Sequence, residues 1–398
     1  MSDWPKSWQV MKLGNVASRI VSGATPESGS SRYYAAVEGT PFAKIDDLSR
    51  SPGMYLTRTS FRVTPAALRE TSLEVYPAGT ILLSMYGTIG LVKITAEPLS
   101  GNQALAALLP PYSADPHFLC HYLSWLRPSW VKYQGQTTQA NISGAIIRNA
   151  EFPFPSLGEQ RRIAEILDVL DAQVSSIDSQ LAKMNVRDAA ICASLIDVRD
   201  VPSRPLSSYL RDRPRNGFSP VETDGWTGVK ALGLGCLTLQ GFRPVQIKDV
   251  PARDSRNAAA TLADGDLLIS RANTRDLVGL AGIYRDIGVP CIYPDLMMRL
   301  RCNSDCLPEF LELLLRNPEV RRQIQAHAQG TSESMVKISG SIVRELRVRV
   351  PGLGVQKQVL YAVKMLQGES EQLREKRLKV LAVRSGLAED LLTGRVRV

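Results

Sequence analysis

Histidine is nearly missing from this chain, with three among 398 residues, so chemistry built on imidazole has little to work with. Cysteine is sparse too. Its six positions (Cys120, Cys192, Cys236, Cys291, Cys302, Cys306) are scattered, which argues against a disulfide framework and fits a reducing cytoplasm. No apolar run reaches the ~18 residues a membrane span needs. The start Met1-Ser2-Asp3-Trp4-Pro5-Lys6 has no basic segment leading into an apolar stretch, so neither a secretory signal nor a membrane is expected. Catalytic motifs are missing as well. There is no Gly-Lys-Ser/Thr phosphate loop, and Gly233-Leu234-Gly235-Cys236-Leu237-Thr238 lacks the third glycine of a dinucleotide fingerprint. No Asp or Glu stands two residues before a Lys, and no Asp/Asn-Pro-Pro-aromatic stretch exists to hold an amine for methyl transfer. A chain without its own catalysis, cofactor or metal is the expectation.

Two clusters could in principle ligate a metal. His117, Cys120 and His121 share one predicted helix, but His117-Phe118-Leu119-Cys120-His121-Tyr122-Leu123 reads as a helix packed on a core. Cys302 and Cys306 have no second ligand pair nearby in sequence.

What is present is a soluble globular composition, 44% apolar and 22% charged, in a chain long enough for two domains. The net charge of +9 is lopsided. Residues 1–198 hold 17 basic and 17 acidic side chains, and the remainder holds 31 against 22. A basic half favours a polyanionic partner through phosphate neutralisation.

The strongest signal is a duplication. Ile142-Ser143-Gly144-Ala145-Ile146-Ile147-Arg148 matches Ile338-Ser339-Gly340-Ser341-Ile342-Val343-Arg344, and the offset of 196 continues through Pro155, Leu157, Gly158 and Gln160 against Pro351, Leu353, Gly354 and Gln356. From 142 to 163, nine of 22 positions are identical. Upstream, Ala78-Gly79-Thr80-Ile81-Leu82-Leu83-Ser84 resembles Asp264-Gly265-Asp266-Leu267-Leu268-Ile269-Ser270 at an offset of 186. The fronts of the halves have diverged in length while the backs have kept theirs.

Each match leads into a long helix with apolar residues at alternating steps of three and four. The first seam runs Ile163, Ile166, Leu170, Val174, Ile177, Leu181, Met184, is interrupted at Asp188 and resumes at Ile191 and Leu195. The second runs Val359, Ala362, Leu366, Ser370, Leu373, Arg377, Val380, then Leu387 and Leu391. A sustained 3.5-residue period predicts two paired coiled-coil helices of about 33 residues, the alternative being ordinary amphipathic helices inside a core. Ile163, Leu170, Ile177, Met184, Val359, Leu366, Leu373 and Val380 are the candidate seam and partner-docking positions. Residues 17–152 and 205–348 read as mixed α/β, with helical patches at 116–131 and 308–329 and a connector at 196–205.

Two loops per half carry the polar chemistry of recognition. Gln136, Thr138 and Asn141 stand against Ser332, Ser334 and Lys337; Ser84, Tyr86 and Thr88 stand against Arg271, Asn273 and Arg275. Gln and Asn can read adenine edges and Thr can touch a thymine methyl, so equivalent frames with unlike side chains would read unlike sequences. Lys44, Arg58, Arg62, Lys230 and Arg243 are further candidates for contact with DNA, where basic side chains serve phosphate.

The stretch Phe154-Pro155-Ser156-Leu157-Gly158-Glu159-Gln160-Arg161-Arg162-Ile163-Ala164-Glu165-Ile166-Leu167 resembles the start of the conserved helices in specificity (S) subunits of type I restriction–modification enzymes. So does the C-terminal 387–398, while Pro77 to Ser84 and Gly101-Asn102-Gln103 resemble that family's target recognition domains. One departure is Val355, where the first half has Glu159. The resemblance implies a mixed α/β architecture of two globular target recognition domains (1–154 and 199–350) separated by two long antiparallel coiled-coil helices (155–198 and 351–398), an internal pseudo-twofold repeat. It implies double-stranded DNA as ligand, two methyltransferase (M) subunits and restriction–translocase (R) subunits as partners, and S-adenosylmethionine, ATP and Mg held by those partners. A bipartite site read from one face of B-DNA needs spacing near one turn, ~34 Å. The rival expectations are a protein-binding coiled-coil scaffold and a stand-alone DNA-modifying enzyme.

Overall fold

The runs Ile81-Leu82-Leu83-Ser84 and Leu267-Leu268-Ile269-Ser270 do not alternate apolar with polar, and the structure gives the reason: each is a strand covered on both faces. In the computed structural model, which describes residues 4–130, 141–198, 200–252, 256–330 and 335–398, the chain divides into two units. Unit 1 is Met1–Ala182 with Gln372–Val398, and unit 2 is Lys183–Glu371.

In unit 1 the strand Ile81–Ser84 lies third in a five-stranded sheet, between Leu105–Tyr112 and Val92–Thr95, with Ala17–Ser22 and Tyr55–Leu56 at the edges. Ile81 and Leu83 face a core with Phe118, Tyr122, Ile163 and Leu391. Leu82 faces the opposite cluster with Ala43, Leu56 and Tyr76. A second sheet of four strands joins Tyr34–Ala35, Phe61–Val63, Thr40–Ala43 and Ser100–Gly101.

Unit 2 repeats the device. Leu267–Ser270 pairs antiparallel with Met297–Leu300 and Ala281–Ile283. Leu267 and Ile269 face Phe310, Leu311 and Leu314, and Leu268 faces Cys236, Tyr284 and Tyr293. The predicted helical patches are each broken in two, Pro116–Trp125 with Arg127–Trp130 and Pro308–Arg316 with Pro318–His327. Pro318 at a first-turn position begins the last of these, as its fixed φ and missing N–H allow.

Ser143 and Ser339 explain the repeated Ile-Ser-Gly. Each is an N-cap whose hydroxyl accepts from the backbone N–H three residues on, Ile146 in one case and Ile342 in the other, opening the short helices Gly144–Asn149 and Gly340–Glu345. Gln160 and Gln356 explain another repeated letter. Gln160 is buried; its Oε1 accepts from Asp115 N–H at 2.8 Å, and its amide donates to Pro155 O at 2.9 Å. Gln356 accepts from Leu307 N–H at 2.9 Å and donates to Pro351 O at 2.7 Å. Each glutamine thus ties the long helix it sits on to the N-cap of an earlier helix, Pro116–Trp125 in one case and Pro308–Arg316 in the other.

The long helices are Leu157–Ile196 and Leu353–Leu392, 40 residues each and longer than the periodicity alone predicts, because their first turns are polar. Unit 1 holds residues 157–182 of one and 372–392 of the other. There they run antiparallel: Asp171 meets Arg384 and Asp178 meets Arg377. Ile163, Ile177 and Val359 are buried, while Leu170, Met184, Leu366, Leu373 and Val380 are half-buried. Two polar seam positions answer each other in unit 2, Ser370 donating to Asp188 at 3.2 Å. Ile191 does not resume the seam as expected. It is exposed, and Cys192 takes the place against the unit 2 core, because the stripe advances by four residues after Asp188. Among the described residues no helix is long and apolar enough to cross a membrane.

Candidate functional site

The two polar loops of each half, far apart in sequence, meet through one backbone arrangement used twice. In unit 1 Tyr86 bridges Asn141 antiparallel and Ile142 N–H donates to Met85 O at 3.0 Å. In unit 2 Ala272 pairs with Lys337, and Ile338 N–H donates to Arg271 O at 2.9 Å. The loops leave the central strand through a repeated serine. Ser84 Oγ donates to Thr88 O at 2.5 Å and accepts from Leu91 N–H at 2.8 Å. Ser270 Oγ donates to Leu277 O at 3.2 Å and accepts from Leu280 N–H at 3.0 Å.

This corrects one expected contact. Ser84 is fully buried with its hydroxyl engaged, so it shapes the loop and does not face a ligand. Arg275 is a second correction. Its guanidinium donates to Gln325 O at 3.0 Å and Ala328 O at 3.4 Å, closing the carbonyl end of Pro318–His327, where a cation is favourable. Tyr86, Thr88 and Lys337 are exposed, and Asn141, Arg271 and Asn273 are half-buried. Among the described residues nothing partners the Arg271 guanidinium. Asn273 Oδ1 accepts from Thr274 N–H at 2.8 Å, leaving its amide N–H₂ to donate. Gln136, Thr138, Ser332 and Ser334 lie outside the described residues.

The remaining candidates lie on other strands and loops. Lys44 holds its ammonium 3.6 Å from the centre of the Phe61 ring. Arg62 donates to Gly39 O at 2.8 Å. Lys230 pairs with Asp249 at 2.8 Å and lies over Trp226. Arg58 and Arg243 are exposed.

The sequence reading missed a turn that both units share. Ser22-Gly23-Ala24-Thr25-Pro26 and Asn216-Gly217-Phe218-Ser219-Pro220 follow the edge strand of each central sheet. Gly23 N–H donates to Leu105 O and Ala24 N–H to Gly101 O; Gly217 N–H donates to Met297 O and Phe218 N–H to Tyr293 O. Thr25 then donates to Gln103, and Ser219 to Asp295 at 2.5 Å. The signal was available as Gly-x-Thr/Ser-Pro at an offset of 194.

The candidate metal cluster of unit 1 resolves into a hydrogen-bonded chain. Tyr55 OH lies 2.6 Å from His117 Nε2, and His117 Nδ1 lies 2.6 Å from Asp168 Oδ2. His121 Nε2 lies 2.7 Å from Asp168 Oδ1, and its Nδ1 lies 3.4 Å from Arg384 Nη2, which also donates to Asp171. Cys120 is buried, which pushes its thiol up to about 12. A neutral His121 satisfies both neighbours, donating from Nε2 to Asp168 and accepting at Nδ1 from Arg384. Burial holds its pKa below the ordinary 6.5. The unfolded chain therefore takes up a proton that the folded one refuses. Unit 1 should keep full stability above about pH 6.5 and lose it as pH falls through that value toward the folded pKa. Thermal unfolding from about pH 7.5 to about 5 should show this slope, and His121→Gln should flatten it. An equal slope in the variant would mean that another group sets it.

Residues 5–184 match the model of the type I restriction modification DNA specificity domain. The specificity subunit of the type I restriction enzyme EcoKI from Escherichia coli is 22% identical across 98% of this chain and 88% of its own length. That of the enzyme MjaIX from Methanocaldococcus jannaschii is 28% identical over 180 residues, 44% of this chain. The match spans only 40% of that relative's length. Among solved structures, the S subunit of a type I restriction–modification system from M. genitalium superposes with a TM-score of 0.53 at 15% identity, covering 98% of this chain and 97% of that one. A chain from a structural study of complex assembly and conformational transition in the type I system gives 0.60 at 15% identity, covering 99% and 100%. These likenesses carry the mixed α/β fold through both units. Residues 5–184 thus carry a type I restriction modification DNA specificity domain, and 98% of the chain is similar to a type I specificity subunit.

Proposed function

We propose that this chain is the non-catalytic DNA-specificity subunit of a type I restriction–modification assembly, and that each unit reads one half of a bipartite, asymmetric site. The observation that carries this reading is the backbone bridge made twice with unlike side chains, Tyr86 with Asn141 and Ala272 with Lys337. A shared frame with different lettering suits two readers of different sequences. The repeated serine, glycine turn and glutamine support a pseudo-twofold repeat, and the antiparallel long-helix segments of unit 1 support a paired-helix rod. In this reading the long helices dock two methyltransferase subunits and set the gap between half-sites. The restriction subunits join that assembly. S-adenosylmethionine, ATP and Mg belong to those partners and methyl transfer is theirs.

The test is methylation mapping in cells carrying the chain with its methyltransferase. A bidentate base contact is worth about 1–3 kcal/mol of discrimination, so Asn141→Ala should relax one half-site by roughly ten-fold or more and leave the other unchanged. Arg271→Ala should act on the other half-site. Arg275→Ala should lower the stability of unit 2 without relaxing a base position. Mutants that altered both half-sites together, or neither, would overturn the two-reader assignment.

A further inference from the structure

Beside Asn273 lies a second element of unit 2. The hairpin of Leu237–Thr238 with Gly241–Phe242 turns at Leu239 and Gln240. Its shape is fixed without either of those side chains. Thr238 Oγ1 donates to Gly241 O at 2.8 Å and accepts from Gln240 N–H at 3.1 Å, and Arg316 Nε donates to Leu239 O at 3.1 Å. Gly241 supplies the φ of +102° that the turn requires. The fixed turn holds a leucine out toward solvent, Leu239 being 60% exposed. Between this tip and the loop after the central strand lies an open cavity of about 480 Å³. Leu239, Leu277 and Leu280 give it an apolar wall, and Thr238, Gln240 and Asn273 give it polar atoms.

We infer that the Leu239–Gln240 turn is a second reading element of unit 2, and that it selects the major-groove edge of thymine. This rests on the two-reader function proposed above. Thymine alone offers a methyl group beside an acceptor, its C5-methyl next to O4. The leucines take the methyl, and the free N–H₂ of Asn273 or the amide of Gln240 donates to O4. Continuity with the reading loop names DNA as the occupant, since Asn273 lines the cavity and sits one residue from the Ala272–Lys337 pair. Lys337, the other member of that pair, is exposed and supplies a cation for a neighbouring phosphate. Asp276, in the same loop, is held by its carbonyl, which accepts from Arg321 Nη2 at 2.7 Å.

The experiment measures methylation of duplexes by the chain with its methyltransferase, each thymine of the unit 2 half-site replaced singly by uracil, which lacks the methyl. One thymine should show a loss of about four-fold, the value of one buried methyl-sized group. Leu239→Ala should erase that thymine–uracil difference, and Gln240→Ala should relax the base pair itself by roughly ten-fold. Insensitivity to uracil at every thymine, or an undiminished difference in Leu239→Ala, would overturn the assignment. Asn273→Ala separates the two levels. If it relaxes the half-site while both turn variants do nothing, the hairpin is no reader and the two-reader function stands. If Asn273→Ala and Arg271→Ala also do nothing, both readings fall.

Discussion

Gly23→Ala should cost unit 1 its folded state or most of its stability, and Gly217→Ala should do the same to unit 2. A Cβ at Gly23 would stand 2.0 Å from Gly101 O and 2.3 Å from Asn102 O; at Gly217 it would stand 2.0 Å from Tyr293 O and 2.5 Å from Pro294 O. These are backbone oxygens already hydrogen-bonded, Gly101 O and Tyr293 O to the turn's Ala24 and Phe218, Asn102 O and Pro294 O to Leu105 and Met297, so no side chain can swing aside to make room. Overpacking by one carbon costs about 1–3 kcal/mol where side chains adjust, and here the backbone must move, so about 3 kcal/mol or more is expected. The measurement is thermal or urea unfolding together with methylation by the full assembly, which should be lost with either variant. Gly354→Ala is the contrast. Nothing lies within 4 Å of its added carbon, and in a helix alanine is favoured over glycine by up to about 1 kcal/mol. Wild-type unfolding of Gly23→Ala would mean that the turn relaxes far more easily than its contacts imply.

Asp266→Ala should destabilise unit 2 by about 3–5 kcal/mol, the cost of leaving a buried charge without its partner. Arg299, opposite Leu268 on the neighbouring strand, is only 9% exposed. Its Nη1 donates to Asp266 at 3.0 Å and to Thr261 O at 2.9 Å, and Nη2 donates to Ala259 O at 3.3 Å. Unit 1 answers the same need without charge. Ala107 lies opposite Leu82 there, and Thr80 holds the position equivalent to Asp266. The double variant Asp266→Thr with Arg299→Ala should therefore recover much of what Asp266→Ala loses. Urea midpoints of the two variants decide the matter, and a double variant no better than the single one would refute the equivalence.

Legibility from sequence followed the kind of signal. Periodicity gave the two long helices, because burial along a helix repeats and shows as spaced apolar letters. The repeat gave Ser143 and Ser339, since a cap needs a particular side chain. Gln160 and Gln356 were visible as identities, but not as ties to Asp115 and Leu307, because a glutamine's partners are set in three dimensions. Ile191 was misplaced because continuing the alternation of three and four ignores the shift in register after Asp188. Ser84 and Arg275 looked like reading residues because polarity in a loop does not tell a side chain that builds the loop from one that faces outward. The glycine turn was the costliest omission: a close backbone approach leaves one small letter and no period.

The bridges that hold the polar loops of each unit join main chain to main chain. Every residue except proline brings the same N–H and C=O to such a bond, so the frame is indifferent to what is written on it. Tyr86 or Asn141 can change its side chain without renegotiating the hydrogen bonds of Met85 and Ile142. On the two-reader function proposed above, new target preferences are then reachable by single codon changes that leave this frame in place, and selection can revise one reader while the other keeps its inherited meaning.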